Sequence, residues 1–276
     1  MSRPAALQPP QPPQLAGALN LAGRVAIVTG GGRGVGRGIA RRFLEAGAEV
    51  IICGRNAPAE PPAAGGRSAH FTAADVRDPQ QVSALADAAL DRFGRLDVMI
   101  ANAGGAPPAA AGDVSPRFHE KIVQLNMVAP LHCAQRANAI MQQQPEGGVV
   151  LFIASVSAHR ASPGTAAYGA AKAGLLSLVQ SLAVEWAPKV RVCAVSAGMV
   201  RTEQSNLHFG SARGVAAAAA SVPLGRLAEP EDVGDACLFL ASPLARYISG
   251  ADLLLHGGGE SPAFLSAVAK AEKAES

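Results

Sequence analysis

Residues 25–36 read VAIVTGGGRGVG. This apolar, β-branched run ends in closely spaced glycines, and a helical pattern with Ile39, Phe43 and Leu44 follows. Glycines let the backbone turn sharply and approach a pyrophosphate, and a helix N-terminus presents free N–H groups to that anion. A second apolar run at 49–53 completes the strand–helix–strand context that such a loop needs. The stretch therefore predicts a dinucleotide-binding unit.

The same alternation of patterns continues along the chain. Strands are predicted near residues 25–29, 49–53, 69–73, 97–101, 148–154, 190–196 and 252–256, and helices at 35–47, 79–93, 117–143, 166–186 and 230–241. Such alternation predicts a single α/β domain over residues 21–260, a Rossmann-type doubly wound parallel sheet with helices on both faces. Residues 1–20 interleave Pro with Gln and Ala and are predicted to form a disordered or extended arm, and residues 261–276 a C-terminal tail.

Composition narrows the function classes. The chain has 276 residues, of which 49% are apolar and 16% charged, with a net charge of +3. The arginines are scattered, so no nucleic-acid surface is expected, and no apolar run is long enough to span a membrane. The four cysteines lie far apart in apolar runs, which favours buried thiols over disulfides or a metal site. Without a signal-peptide pattern, a cytoplasmic location is expected.

Three polar residues indicate the chemistry. Ser155 ends the apolar run 148–154, at the strand edge where open α/β sheets bind ligands. Tyr168 and Lys172 are four residues apart and hence share one helix face. In a cleft shielded from water, the ammonium group is expected to lower the pKa of the phenol, so that the tyrosine exchanges protons with a carbonyl or alcohol oxygen. A Tyr–Lys pair alone is more often a surface contact, but the strand-end serine and the glycine loop favour the catalytic interpretation.

Further ordered motifs carry a family resemblance. They are Thr-Gly-x-x-x-Gly-x-Gly at 29–36, Asp75-Val76, Asn102-Ala103-Gly104, Asn126, the Ser155–Tyr168–Lys172 set, and the late signatures at 198–202, 223–226 and 229–233. From about residue 21 to 259 the chain resembles the short-chain dehydrogenase/reductase family, in particular its 3-oxoacyl-reductase-like, NADP(H)-type members. The resemblance implies seven strands. Ala197 and Ala101 depart from the Pro and Asn usual in the family, and neither position handles the proton.

The resemblance also implies a role for each motif residue. Tyr168 would donate the proton, and Ser155 would hydrogen-bond the substrate oxygen. Lys172 would tune Tyr168 and hold a ribose hydroxyl, while Asn126 would support a proton-relaying water. The cofactor would be held by Gly30, Gly32, Arg33, Gly34, Val35, Gly36, Arg55, Asn56, Asp75, Val76, Asn102, Ala103, Gly104, Tyr168, Lys172, Gly198, Val200 and Thr202.

The end of the second strand bears on cofactor choice. NAD-preferring relatives carry an acidic residue there, which holds the ribose hydroxyls and would repel a 2′-phosphate. This chain has Gly54 followed by Arg55, and Arg33 lies within the phosphate loop. Two guanidinium groups can bracket a phosphate with charge-assisted bonds. We therefore expect NADP(H) to be preferred over NAD(H), the alternative being that both arginines are merely solvated surface residues.

The substrate is less constrained. The lid is expected at 203–222 and a second wall at 104–113, and both favour an apolar or mixed ketone. The neutral stretch Gln142–Gln144 disfavours a carrier-protein substrate, while a coenzyme A thioester stays open. Three functions are compatible with the sequence: an NADPH-dependent ketone reductase, which is favoured, an NAD(P)-dependent catabolic secondary-alcohol dehydrogenase, and a non-enzymatic dinucleotide-binding regulator.

Two helices predict self-association. The patterns at 117–143 and 166–186 carry small and apolar residues on more than one face. A helix that is apolar on both sides must bury both, and a single domain of this layout supplies only one partner surface. The last strand, 252–256, offers a second symmetric contact at the sheet edge. With the arrangement of the resembling family, this predicts a homotetramer acting on a small-molecule substrate.

Overall fold

The computed structural model describes residues 17–260, 262–265 and 267–268. Its strands are β1 (Val25–Thr29), β2 (Glu49–Gly54), β3 (Ala63–Ala64), β4 (Arg67–Ser68), β5 (His70–Ala73), β6 (Val98–Ala101), β7 (Gly148–Ser155), β8 (Val190–Ala197) and β9 (Asp252–Leu255). Its α-helices are α1 (Gly34–Glu45), α2 (Pro79–Phe93), α3 (Pro116–Val123), α4 (Ala129–Met141), α5 (Ala166–Glu185), α6 (Ser205–Phe209), α7 (Ala212–Ser221) and α8 (Pro230–Ala241).

Seven strands form one sheet in the order β5-β2-β1-β6-β7-β8-β9. All of its neighbouring pairs are parallel. The central strands are buried on both faces, as β1 and β6 show at every position, because helices cover the sheet from both sides. The Rossmann-type α/β fold and the seven strands are therefore confirmed.

The two faces of the sheet have separate cores. One face packs against α2, α4 and α5 through residues such as Leu85, Cys133 and Leu175. The other packs against α1 and α8 through Ile39, Phe43 and others. On this face a Cβ added to Gly38 would lie only 2.4 Å from the backbone of Pro230, so glycine is what lets α1 and α8 approach.

Most element bounds lie within about two residues of the prediction, but the helix expected over 117–143 is interrupted. Helix α3 ends at Val123, residues Gln124–Val128 form a π-helical turn, and α4 begins at Ala129. A π turn holds one extra residue and is frequent at functional sites. Here it carries Asn126, whose contacts explain the turn, as described below.

Three further regions refine the sequence-based picture. Strands β3 and β4 form a small antiparallel hairpin that no pattern had indicated. The segment expected as a lid contains two short helices, α6 and α7. Residues 17–20 form a turn in which Ala18 is buried, whereas residues 1–16 and most of the tail beyond 260 lie outside the described residues. None of the helices in the described part of the chain has the length and apolar character required to cross a membrane.

Candidate active site

The sequence-predicted acid–base residues meet at the carboxyl edge of the sheet. Ser155 is the last residue of β7, and its Oγ accepts a hydrogen bond from the backbone N–H of Ser157 at 3.1 Å. Tyr168 lies in the first turn of α5, and Lys172 follows one turn later on the same face. The Nζ of Lys172 lies 5.6 Å from the centre of the Tyr168 ring. These three residues are therefore brought together, as the spacing indicated.

Lys172 is held rigidly. Its side chain is almost fully buried, with 3% exposure, and Nζ donates a hydrogen bond to the carbonyl oxygen of Ile153 in β7 at 2.7 Å. Burial disfavours the charged form and lowers the pKa of Lys172 from 10.5 to about 8. The ammonium group is therefore poised to lose its proton near physiological pH.

Tyr168 departs from the expected direction. Burial raises the pKa of its phenol above the ordinary value of 10, although a hydrogen bond with Ser155 acts in the opposite sense. The expected lowering by Lys172 is absent because that ammonium contacts a backbone carbonyl rather than the phenol oxygen. In this state Tyr168 is a proton donor, the form required to protonate a carbonyl oxygen.

Asn126 connects the π-helical turn to the loop that follows β6. Its side chain is fully buried, its Oδ1 accepts from Gly105 N at 2.8 Å, and its Nδ2 donates to Gly105 O at 3.0 Å and to Ile122 O at 2.9 Å. A Cβ added to Gly104 would lie 2.7 Å from Asn126 Oδ1 and 3.5 Å from Lys172 Nζ. Asn126 thus fixes the backbone that lies against Lys172.

The loop of residues 104–113 forms the expected wall beside Tyr168. Ala109 N donates to Gly164 O at 2.7 Å, which ties the wall to the turn preceding α5. Residues of the wall and of α3 enclose a narrow space against Tyr168, including Ala106, Phe118 and His119. This side of the tyrosine is therefore nearly closed.

The start of the phosphate loop is hydrogen-bonded to the residues that follow β6. Thr29 Oγ1 accepts from the N–H groups of Asn102 and Ala103, both at 2.9 Å, and Asn102 Nδ2 donates to Thr29 O at 2.8 Å. A Cβ on Gly36 would lie 2.5 Å from both Asn102 Nδ2 and Gly30 O, so only glycine permits this packing. Thr29 stands in the glycine motif, but no local sequence pattern indicates that its hydroxyl contacts the backbone after β6.

The lid also forms a hydrogen bond with the phosphate loop. The Glu203 carboxylate accepts from Gly34 N, the first N–H of α1, at 3.2 and 3.4 Å. Thr202 lies alongside, since a Cβ on Gly34 would be 3.5 Å from its Cγ2. An anion thus already occupies a donor that is suited to phosphate. Glu203 was missed because nothing in its local sequence indicates a contact 169 residues away.

The segment between β8 and the lid is held by backbone bonds. Gly198 N donates to Leu255 O at 2.8 Å, and Val200 forms an isolated parallel bridge with Ala228. Ala197, where the family usually has Pro, is the last residue of β8 and pairs with Ser155 at the end of β7.

Several of the residues expected to bind the adenosine half of a cofactor are exposed, in contrast to the buried Lys172 and Asn126. Arg33, Arg55 and Asn56 are exposed, and neither Arg33 nor Arg55 takes part in the ion pairs among the described residues, which are formed by other arginines and by His159. Val76 is buried in the core.

Asp75 has an unexpected partner at this end. Arg77 engages its carboxylate in a bidentate pair, with contacts of 2.9 and 2.5 Å. Mainly through this hydrogen bonding, Arg77 lowers the pKa of Asp75 to about 2, and the nearby charge of Arg55 acts in the same direction. Asp75 is therefore a fixed carboxylate beside Arg55.

Comparison with known proteins agrees with this arrangement. The family model described as Enoyl-(Acyl carrier protein) reductase matches residues 30–260. The chain belongs to the short-chain dehydrogenase/reductase family. Within this family it is 36% identical to L-rhamnose 1-dehydrogenase (NAD(P)(+)) of Azotobacter vinelandii, over 85% of this chain and 96% of that one. It is also 36% identical to cis-4-hydroxycyclohexanecarboxylate dehydrogenase of Sinomonas cyclohexanicum, over 85% and 96%.

A solved structure also resembles this chain in its fold and sequence. It is 7α-hydroxysteroid dehydrogenase complexed with NADH and 7-oxo glycochenodeoxycholic acid, with a TM-score of 0.80 and 31% identity, covering 90% of this chain and 98% of that one. The chain is accordingly an NAD(P)-dependent oxidoreductase of secondary alcohols and their carbonyl counterparts.

Proposed function

We propose that this short-chain dehydrogenase/reductase is an NADPH-dependent ketone reductase whose acid–base group is Tyr168. The observation that carries the proposal is the convergence of Ser155, Tyr168 and a buried Lys172 at the end of β7, with Lys172 Nζ fixed on Ile153 O at 2.7 Å. Convergence of a proton donor, a hydroxyl and a cation at one strand edge suits the reduction of a carbonyl.

The residues present fit a nicotinamide dinucleotide. The Gly34 N–H already accommodates a carboxylate, which stands in for a phosphate oxygen. Gly30, Gly32, Gly34, Val35 and Gly36 would hold the pyrophosphate. Asn102, Ala103 and Gly104 would line the adenosine ribose, with Asp75 and Val76 at the adenine. Gly198, Val200 and Thr202 would hold the nicotinamide. When bound, the cofactor supplies the hydride.

The chain's own residues handle the proton. Ser155 would hydrogen-bond the carbonyl oxygen, and Tyr168, neutral because burial raises its pKa, would donate its proton to that oxygen as the hydride reaches the carbon. The products are a secondary alcohol and the oxidised cofactor, so one hydride from the cofactor and one proton from Tyr168 account for the two hydrogens added to the carbonyl. Lys172 would stabilise the tyrosinate that remains, and Asn126 would fix the backbone beside Lys172.

The 2′-phosphate preference rests on the adenosine end. Arg33 and Arg55 are exposed with Asn56 beside them, and Gly54 supplies no carboxylate to repel a phosphate. An exposed guanidinium that is not hydrogen-bonded to a carboxylate can form charge-assisted bonds to a phosphate, and the Asp75 carboxylate near Arg55 is itself paired with Arg77. This supports NADP(H) over NAD(H).

One screen tests the function. Purified protein is assayed with a panel of ketones and the matching secondary alcohols, each with NADPH, NADH, NADP⁺ and NAD⁺. We expect ketone reduction with NADPH to be the fastest reaction. Faster alcohol oxidation with NAD⁺ would identify a catabolic dehydrogenase instead, and cofactor binding without any turnover would favour a dinucleotide-binding regulator.

We also infer that the protein is a homotetramer. Val184 on α5 is 80% exposed and Tyr247 fully exposed, and Leu253 and Leu254 lie exposed on β9 at the edge of the sheet. Such apolar surface on a helix and on a sheet edge is suited to two symmetric contacts. Light scattering at micromolar concentration should give four times the mass of one chain, 27.9 kDa. A mass of one chain would refute both contacts, and a mass of two chains would leave one.

A further inference from the structure

A cavity of about 250 Å³ lies next to the end of β7, where Val156 forms part of its lining. Its apolar side is formed by Val156, which directly follows Ser155, by Met199 and by Leu254. Its polar side is formed by His159, Arg160, His256 and Glu260. None of these polar side chains has a part in the proton transfer described above. The cavity is thus adjacent to the reacting position but chemically distinct from it.

His159 is anchored at the floor of this cavity. Its Nε2 lies 2.9 Å from Asp252 Oδ2 and 3.1 Å from Ser196 Oγ, and Ser196 Oγ itself donates to Asp252 Oδ2 at 2.9 Å. Ser196 is fully buried, so the ring is held from the interior of the sheet. A carboxylate partner on one ring nitrogen fixes the orientation of imidazole, which leaves Nδ1 for another ligand.

Arg160 is already engaged by a carboxylate at the rim. Its Nη2 donates to Glu260 Oε1 at 2.6 Å, and its Nη1 donates to Ala161 O at 2.9 Å. Both side chains of the pair are well exposed, at 45% and 39%. An ion pair this exposed contributes little stability, so Arg160 can exchange Glu260 for another carboxylate. A guanidinium fork matches the geometry of a carboxylate, and here it faces the cavity.

We propose that this cavity binds a carboxylate of the substrate, with the Arg160 fork exchanging Glu260 for the incoming group, His256 adding a hydrogen bond and His159, held by Asp252, forming the adjoining wall. The substrate class is then an oxo acid or hydroxy acid whose carboxylate is remote from the reacting carbon. The inference rests on the proposed function, since Ser155 must hold the carbonyl. The cavity is smaller than the roughly 300–1,000 Å³ of pockets for drug-sized ligands, so the group it takes is compact.

A matched pair of ketones tests this. 4-Oxocyclohexanecarboxylate and its methyl ester have the same ring and reacting carbon but differ in charge. With NADPH, we expect kcat/KM to be at least tenfold higher for the acid. Arg160→Gln should lower kcat/KM for the acid at least tenfold, mainly through KM, and leave the ester within twofold. Arg160→Lys should retain part of the preference.

Two further variants sharpen the result. Glu260→Gln removes the internal competitor and should lower KM for the acid. Arg246→Gln changes an exposed arginine that precedes β9 and does not line the cavity. This variant should leave kcat/KM unchanged for both ketones. Equal kcat/KM for acid and ester in the wild-type protein, or an equal loss of both in Arg160→Gln, would overturn the proposal, as would a preference for neutral polyhydroxy ketones.

Binding separates this proposal from the proposed function. Cyclohexanecarboxylate, which cannot react, is titrated calorimetrically into the full chain with NADPH present and absent. We expect at least tenfold weaker binding to Arg160→Gln than to the wild-type protein. If no ketone is turned over but this difference holds, the carboxylate site stands and the reductase function is wrong. If ketones are turned over but the difference is absent, the carboxylate site is wrong.

Discussion

At the proton-transfer end of the cofactor groove, Lys172 and Asn126 are buried and their polar atoms are hydrogen-bonded to backbone groups. At the end proposed for the adenosine, Arg33 and Arg55 are exposed and take part in none of the ion pairs among the described residues. Proton transfer depends on positions fixed to fractions of an ångström, whereas a phosphate can be bound by charges that adjust to it. Substitutions at the buried end should therefore affect turnover and stability, and those at the exposed end only affinity.

The largest effect is expected at the buried end, from Tyr168→Phe. This change keeps the ring and removes the proton donor, so kcat should fall about a thousandfold while the Kd for the cofactor stays within twofold. The only other tyrosine, Tyr247, is fully exposed and gives a matched control. Tyr247→Phe should leave kcat unchanged. A Tyr168→Phe variant that kept most of its turnover would mean that another group is the acid.

The next effect concerns Lys172 and pH. Burial lowers its pKa from 10.5 to about 8, so between these values the unfolded chain binds more protons than the folded one. The contribution of this group to stability is therefore fully present above about pH 10.5 and is lost as the pH falls through 8, by at most ~3 kcal/mol. Urea unfolding of the wild-type protein and Lys172→Met should give a stability difference that rises across this window.

Buried thiols such as Cys53, whose pKa burial raises to about 11, change the pH dependence of stability in the opposite direction. Their contribution cancels when the stability of Lys172→Met is subtracted from that of the wild-type protein. Lys121 is exposed, and Lys121→Met is the control, for which the difference curve should be flat. A flat curve for Lys172→Met as well would show that Lys172 is not desolvated.

A smaller effect is expected from Asn126→Ala, which removes three side-chain hydrogen bonds and leaves the N–H and C=O of Gly105 without their side-chain partner. The free energy of unfolding should fall by about 2 kcal/mol, together with kcat. Asn138→Ala, on α4, loses only one partly buried bond from Gln142 and should cost less than half as much. Equal losses of stability in the two variants would show that the three hydrogen bonds of Asn126 contribute no more than the single bond of Asn138.

The smallest effect is expected at the exposed end. Wild-type protein should bind NADPH at least tenfold more tightly than NADH, a difference of about 1.4 kcal/mol. Replacing Arg33 and Arg55 by Ala should abolish this preference by weakening NADPH alone, without a change in stability. Arg117→Ala, at another exposed arginine, is the control. Fluorescence titration gives the four dissociation constants, and equal wild-type values for NADPH and NADH would refute the phosphate site.

The fold was largely predictable because local patterns determine it. Helix α2 runs over Pro79–Phe93 as predicted, since Asp78 caps its N-terminus and Gly94 ends it in the left-handed conformation. The meeting of Ser155, Tyr168 and Lys172 also followed from a strand end and one helical turn.

What the sequence could not indicate depends on contacts distant along the chain. The π-helical turn forms where Asn126 bonds to Gly105, 21 residues earlier. His159 meets Asp252 over 93 residues, and Glu203 meets Gly34 over 169. The raised pKa of Tyr168 had the same origin, because the Lys172 ammonium was taken by Ile153 O, which spacing alone does not reveal.

The contact between Glu203 and Gly34 ties the lid to the first turn of α1. If a cofactor phosphate binds the same N–H, as we propose, the Glu203 carboxylate competes with it, and the apparent affinity is the intrinsic one reduced by the fraction of molecules in which that donor is free. Glu203 lies two residues before α6, within the lid itself. On this proposal we expect ordered steady-state kinetics, with the cofactor binding before the substrate.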